Sequence, residues 1–105
     1  MVCEIALVES QFPKSRFGIT IPLNDLDKVI VDKHIAFIKI TQRYPIRKSI
    51  DKILMCKNSS GDSIKIRDLI NCLVDNKYRH NPDEYRYLEL FFLDEDGIVI
   101  PFFGS

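Results

Sequence analysis

Apolar and polar residues alternate along several short stretches of the chain, which is the pattern of half-buried β-strands. In the first half of the sequence, residues 2–8, 16–21 and 34–41 fit strands by alternation or by a short apolar run. The first two are joined by a short segment containing Pro13, so we predict that they form an opening β-hairpin. Residues 26–31 fit either a short helical turn or a further strand.

The apolar period changes from two to about 3.6 residues in the middle of the chain. Residues 50–57 are predicted as a strand, and the polar cluster at 58–62 as the turn that follows it. Beyond this turn we predict an amphipathic helix near residues 66–76, with Ser63 or Asp68 as its N-cap. The apolar positions that recur at helical spacing are Ile66, Leu69, Ile70, Leu73 and Val74.

The end of the chain carries the strongest local signal, which is that of a closing β-hairpin. Residues 85–93 and 98–103 are predicted as its strands, and Gly97 supplies the positive φ that the connecting turn requires. The first strand is apolar on both faces, so we expect it to be covered on both sides or to lie centrally. Pro101 lacks an N–H, which predicts a sheet edge or a bulge in the last strand. The side chains expected to share one face of the first strand are Leu88, Leu90 and Phe92.

Together these elements predict an α+β fold, with a mostly antiparallel sheet of about five or six strands packed by one main helix near residues 66–76. Apolar residues occur from the start of the sequence to its end, and no linker, repeat or low-complexity stretch divides them. We therefore predict a single domain that spans residues 1–105.

Composition and charge limit the function. Fifteen Ile among 105 residues favour a sheet, but frequent Ile, Lys and Asn are also typical of AT-rich genomes, including those of large DNA viruses. The 15 basic and 15 acidic side chains balance, which argues against the broad positive surface of a non-specific nucleic-acid binder. The sequence contains neither a signal peptide nor a membrane-spanning stretch, so we expect an intracellular, cytoplasmic protein without membrane contact.

Three Cys and two His are the residues from which a thiol enzyme or a zinc site could be built. Their spacing contains no Cys-x-x-Cys pair, which favours reduced structural thiols over a disulfide framework or a zinc site. Glycine-rich phosphate loops, complete calcium loops and Gly-x-Ser-x-Gly elbows do not occur either. We therefore predict no catalytic residue, metal or cofactor. The alternative is an enzyme with Cys56 or Cys72 as nucleophile and His34 or His80 as base.

The apolar end of the chain is the candidate partner surface. A terminal apolar strand either pairs within its own sheet or is offered to another chain. Where its aromatic side chains are exposed, they suit a homodimer or a partner protein. The leading hypothesis is therefore a non-enzymatic protein-interaction module, such as an adaptor, an inhibitor or an assembly subunit. The residues predicted to bind the partner are Ile100, Phe102 and Phe103.

An uneven distribution of charge supplies the alternative function. Residues 39–82 carry ten basic and four acidic side chains, whereas residues 83–105 carry one basic and six acidic. Basic and tyrosine side chains are interleaved at 39–52 and 77–87, a combination that binds single-stranded nucleic acid through stacking and phosphate contacts. The alternative is therefore a small nucleic-acid-binding regulator. Its predicted contact residues are Arg43, Tyr44, Arg47, Lys48, Tyr78 and Arg79.

Overall fold

The computed structural model describes residues 4–42, 50–58, 61–79 and 86–104. These ranges contain two α-helices, one short 3-10 helix and seven β-strands. In chain order they are α1 (Glu4–Glu9), β1 (Gly18–Ile19), the 3-10 helix (Leu23–Asp25), β2 (Val29–Val31), β3 (Ile35–Gln42), β4 (Ile50–Lys57), β5 (Ile64–Lys65), α2 (Ile66–Asp75), β6 (Tyr87–Leu93) and β7 (Val99–Gly104).

Five of the strands form the main sheet, in the order β1-β6-β7-β3-β4, and β2 pairs with β5 in a separate two-stranded sheet. The pairs β6/β7 and β3/β4 are antiparallel, whereas β1 runs parallel to β6 and β3 runs parallel to β7. The predicted α+β class, with a mostly antiparallel sheet and one main helix, is therefore confirmed. The parallel pairs make the sheet a mixed one.

The hydrophobic core lies between α2 and one face of the main sheet. Helix α2 packs against β4 and β5, and its residues Leu69, Ile70 and Leu73 are completely buried. Ile38 on β3 and Val99 on β7 belong to the same core and are buried to the same extent. The helical spacing of the apolar residues therefore identified the side of α2 that faces the sheet.

Long-range backbone hydrogen bonds hold the first turn of α2. Its first two N–H groups donate to the carbonyl oxygens of Lys28 and Leu26, at 3.1 and 2.8 Å. The N-cap is Lys65, whose own N–H donates to Oδ2 of Asp68 at 2.9 Å. Neither Ser63 nor Asp68 is the N-cap, since the loop before β2 accepts the hydrogen bonds that a capping side chain usually accepts.

The last turn of α2 ends in a Schellman motif. Lys77 adopts the left-handed conformation (φ 55°), and its N–H donates to the carbonyl oxygen of Val74 at 3.0 Å. The N–H of Tyr78 donates to the carbonyl oxygen of Leu73, also at 3.0 Å. The Tyr78 side chain is buried, with 5% of its surface exposed. The chain therefore leaves the helix with an aromatic side chain in the core.

The predicted opening hairpin is wrong. Residues 4–9 form α1, and only two residues of the second predicted strand form β1, which pairs with β6. Both carboxylates of α1 accept hydrogen bonds from the following chain: Glu4 from the N–H of Leu23 at 2.9 Å, and Glu9 from the N–H of Ile19 at 3.1 Å. These tertiary contacts outweigh the local strand preference, which depends strongly on context.

The predicted closing hairpin is confirmed as β6 and β7. Gly97 has φ 78°, as its turn position requires. Oδ1 of Asp94 accepts hydrogen bonds from the N–H groups of Asp96 and Ile98, each at 2.9 Å. The turn is thus fixed by one glycine and one aspartate.

The last strand, however, lies inside the sheet, between β6 and β3. Its pairing with β3 is parallel and centres on Ile38 and Val99, two residues before Pro101. Pro101 has no N–H with which to extend this ladder. The proline therefore lies where the pairing between β3 and β7 ends. The expectation that the last strand is an edge strand is wrong.

A β-bulge in β6 between Leu88 and Leu90 changes which side chains share a face. Leu88 and Phe91 are buried, whereas Leu90 and Phe92 are exposed. The expectation that Leu88, Leu90 and Phe92 share one face is wrong, because the extra residue of a bulge inverts the alternation.

The core assignment predicts a clear contrast between two positions on α2. Leu73→Ala should lower the free energy of unfolding by about 2 to 5 kcal/mol, because it empties a fully buried site. Asn71→Ala is the matched control on the exposed side of the helix and should change stability by less than about 0.5 kcal/mol. Chemical denaturation of both variants measures the difference, and equal effects would contradict the assigned face.

Candidate functional site

The face of the main sheet opposite α2 carries large apolar side chains that are exposed. Six of them leave between 45% and 59% of their surface accessible. We call this surface the outer face. It consists of Phe37, Ile53, Met55, Leu90, Phe92 and Phe102.

Strand register brings these six side chains to the same side. Residues directly opposite each other in a sheet point to the same face. Phe37 pairs with Met55 across β3 and β4, and Leu90 pairs with Phe102 across β6 and β7. The outer face therefore extends over four neighbouring strands rather than along one.

The same strands bury their alternate residues on the opposite side. On β3 these are Ala36, Ile38 and Ile40, and on β4 they are Leu54 and Cys56. In an antiparallel sheet with one solvated face, the outward positions are ordinarily polar. Here the outward positions of β3 and β4 include exposed Phe37, Ile53 and Met55, so large apolar side chains occupy part of a face that is ordinarily polar.

The outer face also carries charged and polar side chains, two of which form an ion pair. Nζ of Lys39 lies 3.6 Å from Oδ2 of Asp51, and the Thr41 hydroxyl donates to Oδ1 of Asp51 at 2.8 Å. Lys39 lies between the two halves of the outer face, opposite Ile53 on β4 and in one cleft with Phe102 on β7. Lys57 lies at the end of β4. A partner that covers the outer face would therefore bury Lys39 together with Asp51, as an ion pair rather than as an unpaired charge.

The structure divides the three residues predicted to bind a partner. Phe102 is exposed on the outer face, and Ile100, half-buried, pairs with Phe92 on the same side. Phe103 is half-buried on the inner side, with its ring centroid 5.4 Å from that of Phe17 and 5.5 Å from that of Tyr78. Phe103 therefore packs against the core.

The sequence prediction did not include the part of the outer face that β3 and β4 supply. Phe37, Ile53 and Met55 were assigned to strands but not to a surface. The signal that could have identified them is that consecutive residues are apolar on both strands, at 35–38 and 53–56. When only one face of a sheet is covered, alternate residues of such a run lie on the uncovered face.

A cleft of about 350 Å³ opens beside Pro101, where the pairing of β3 and β7 ends. It brings Lys39 near Tyr78 and Arg86, and thus joins the two segments predicted to bind nucleic acid. Tyr78 contributes to this wall as a buried core residue, so its ring face is not free to stack on a base. Arg79 is exposed. The four remaining predicted contacts, Arg43, Tyr44, Arg47 and Lys48, lie outside the described residues.

The described cysteines contact polar groups other than imidazole. The hydrogen-bond partners of Cys56 and Cys72 include the carbonyl oxygens of Asp68 and Met55 and the amide of Asn76. His34 is exposed at the start of β3, and His80 lies outside the described residues. Within the described ranges, no cluster of three or more potential metal ligands occurs. No helix in those ranges is long and apolar enough to cross a membrane.

The opposite orientations of two neighbouring rings give a direct test of the outer face. Phe103→Ala should lower the free energy of unfolding by about 2 kcal/mol or more, because it removes an aromatic side chain that packs on the core. Phe102→Ala should cost less than about 1 kcal/mol, since that ring is half exposed. Denaturant titration compares the two variants, and a larger effect at Phe102 would contradict the assigned orientation.

Comparison with known protein families, with curated proteins and with solved structures found no match.

Proposed function

We propose that this protein is a non-enzymatic interaction module that pairs with a second copy of itself through the outer face. The observation that carries the proposal is the set of six exposed apolar side chains at outward positions of four adjacent strands. Burying them removes apolar surface from water, which is the dominant favourable term in most protein association. The module is thus an assembly subunit, with a protein surface as its ligand.

The size of the outer face fits a modest interface. Its six side chains expose on the order of 500 Å² of apolar surface, at the upper end of the largest patches on ordinary monomers. A stable interface buries about 800 Å² on each partner. With the polar groups around it, the outer face approaches that size, and we expect a dissociation constant in the micromolar range.

Charge favours a second copy as the occupant. The whole chain carries equal numbers of basic and acidic side chains, so two copies do not repel each other through net charge. On the outer face, Lys39 and Asp51 already neutralise each other within one chain. A two-fold interface places the same patch on both subunits, and an apolar patch with an internally paired charge is complementary to itself.

Phe37→Asp tests this proposal, since Phe37 is 46% exposed and lies on the outer face opposite Met55. A carboxylate there removes an apolar contact and loses its hydration on association, so the dissociation constant should rise by about tenfold or more. Sedimentation equilibrium over a range of protein concentrations measures the constant. The unmodified chain should pass from the mass of one chain to that of two.

Val29→Asp is the matched control, because Val29 is 53% exposed but lies on β2, in the other sheet. It should associate as the unmodified chain does. An unmodified chain that keeps the mass of one chain at every concentration would reject self-association. A dimer that Phe37→Asp leaves unchanged would place the interface on another surface.

The second candidate function is binding of single-stranded nucleic acid. The observation that favours it is the cleft beside Pro101, where Lys39 and Arg86 from the two basic, tyrosine-rich segments come together. The hypothesis predicts binding to labelled single strands that weakens steeply with salt, because phosphate contacts release counterions. Fluorescence anisotropy measures this. Changing Arg43, Arg47 and Lys48 together to Glu should abolish binding, and no binding by the unmodified chain at low salt would remove this function.

A further inference from the structure

Two of the three cysteines lie side by side between the sheet and α2. Cys56 on β4 and Cys72 on α2 are both buried, and both are free thiols. Sγ of Cys56 lies 3.4 Å from the carbonyl oxygen of Asp68, and Sγ of Cys72 lies 3.6 Å from the carbonyl oxygen of Met55. The Cys56 sulfur therefore contacts the backbone of α2, and the Cys72 sulfur contacts the backbone of β4.

A cleft of about 290 Å³ leads from the surface to this pair. Its polar lining includes Asn71 and Asn76, and its charged lining consists of Asp68, Asp75 and Lys57. The two carboxylates outnumber the single ammonium group, so the charged lining is net negative. This charge repels anionic reagents, such as glutathione disulfide, from the thiols. A small neutral reagent is the kind that this cleft admits.

We propose that Cys56 and Cys72 form a reversible redox site, in which a small hydroperoxide such as hydrogen peroxide converts the two thiols into an intramolecular disulfide. Disulfides in reducing compartments are usually transient and redox-sensing. The proposal does not depend on the outer face, since both sulfurs lie on the opposite side of the sheet.

The two thiols have different roles in this reaction. The interaction with the neighbouring Cys56 thiol lowers the pKa of Cys72, and the Asn76 amide, 3.7 Å from Sγ, acts in the same direction against burial and Asp75. The same interaction with Cys72, together with burial, raises the pKa of Cys56. Cys72 also keeps more exposed surface than Cys56, 8% against 4%, so Cys72 is the attacking thiol and Cys56 is the resolving thiol.

The reaction balances in two steps. The Cys72 thiolate attacks one peroxide oxygen, so that an S–O bond forms, the O–O bond breaks, and the leaving hydroxide takes up a proton to become water. The Cys56 sulfur then attacks the Cys72 sulfenic acid, which forms the S–S bond and breaks the S–O bond, and a second water leaves with the Cys56 proton. The two thiols supply the two electrons that reduce the peroxide. Reduction by an external thiol reverses the modification.

The unmodified chain, with all three cysteines, tests the pairing. After treatment with hydrogen peroxide and alkylation of the remaining thiols, digestion with trypsin under non-reducing conditions should yield peptide 53–57 linked to peptide 68–77 as the main cross-linked product. The same treatment in denaturing urea is the control, where pairings with Cys3 should become comparable. A native product in which Cys3 is the main partner, or one with no link between Cys56 and Cys72, would overturn the proposal.

Two single variants test the assigned roles. In Cys56→Ser the resolving thiol is missing, so a cyclic 1,3-diketone that traps sulfenic acids should label Cys72 in peptide 68–77. In Cys72→Ser the same reagent should label Cys56 at least about tenfold less, because that thiol has the raised pKa. Equal labelling in the two variants would contradict the assignment of Cys72 as the attacking thiol.

Discussion

Burial of one face of a five-stranded sheet in the hydrophobic core is the contact on which the other features of this protein depend. Leu69, Ile70 and Leu73 enter the core from the helix, and Ile38 and Val99 enter it from the middle of the sheet. Helix α2 packs against β4 at one edge of the sheet, and Val8, Phe12 and Phe17 from the first part of the chain belong to the same core. The apolar side chains on the other face stay exposed, and they are the physical basis of the proposed self-association.

The connections around α2 keep this arrangement in place. Its first N–H groups are bound by the loop before β2, and its last turn directs Tyr78 into a cluster with Phe17 and Phe103. The three ring centroids are 5.4 to 6.3 Å apart, within the range of favourable aromatic pairs. This cluster joins the end of α2 to the last residues of β7. It explains why Phe103 packs inward while Phe102, its neighbour, contributes to the outer face.

Local patterns in the sequence predicted the elements whose signals are self-contained. Strand β4, helix α2 and the β6/β7 hairpin follow from apolar spacing and from the turn at Gly97. What the sequence could not supply were the contacts between distant segments. Helix α1 depends on carboxylates that bind N–H groups ten and nineteen residues away. The bulge in β6 and the inner position of β7 likewise depend on pairing between strands.

The candidate surface was predicted only in part, for the same reason. The sequence identified the apolar end of the chain, including Phe102, but a face made by four strands becomes visible only when their order and register are known. The adjacency of Cys56 and Cys72 is also a tertiary feature, because sixteen positions separate them along the chain and no spacing rule relates them.

The most direct test of the account is the accessibility of individual methyl groups to a soluble paramagnetic probe, measured by NMR at several protein concentrations. In dilute protein, the methyl groups of Met55, Ile53 and Leu90 should be strongly broadened, whereas those of Leu54 and Leu73 should not. As the concentration rises, the first group should become protected and the second should stay unchanged. Protection of the outer-face methyl groups at every concentration, or their exposure at every concentration, would contradict the proposal that a second copy covers this face.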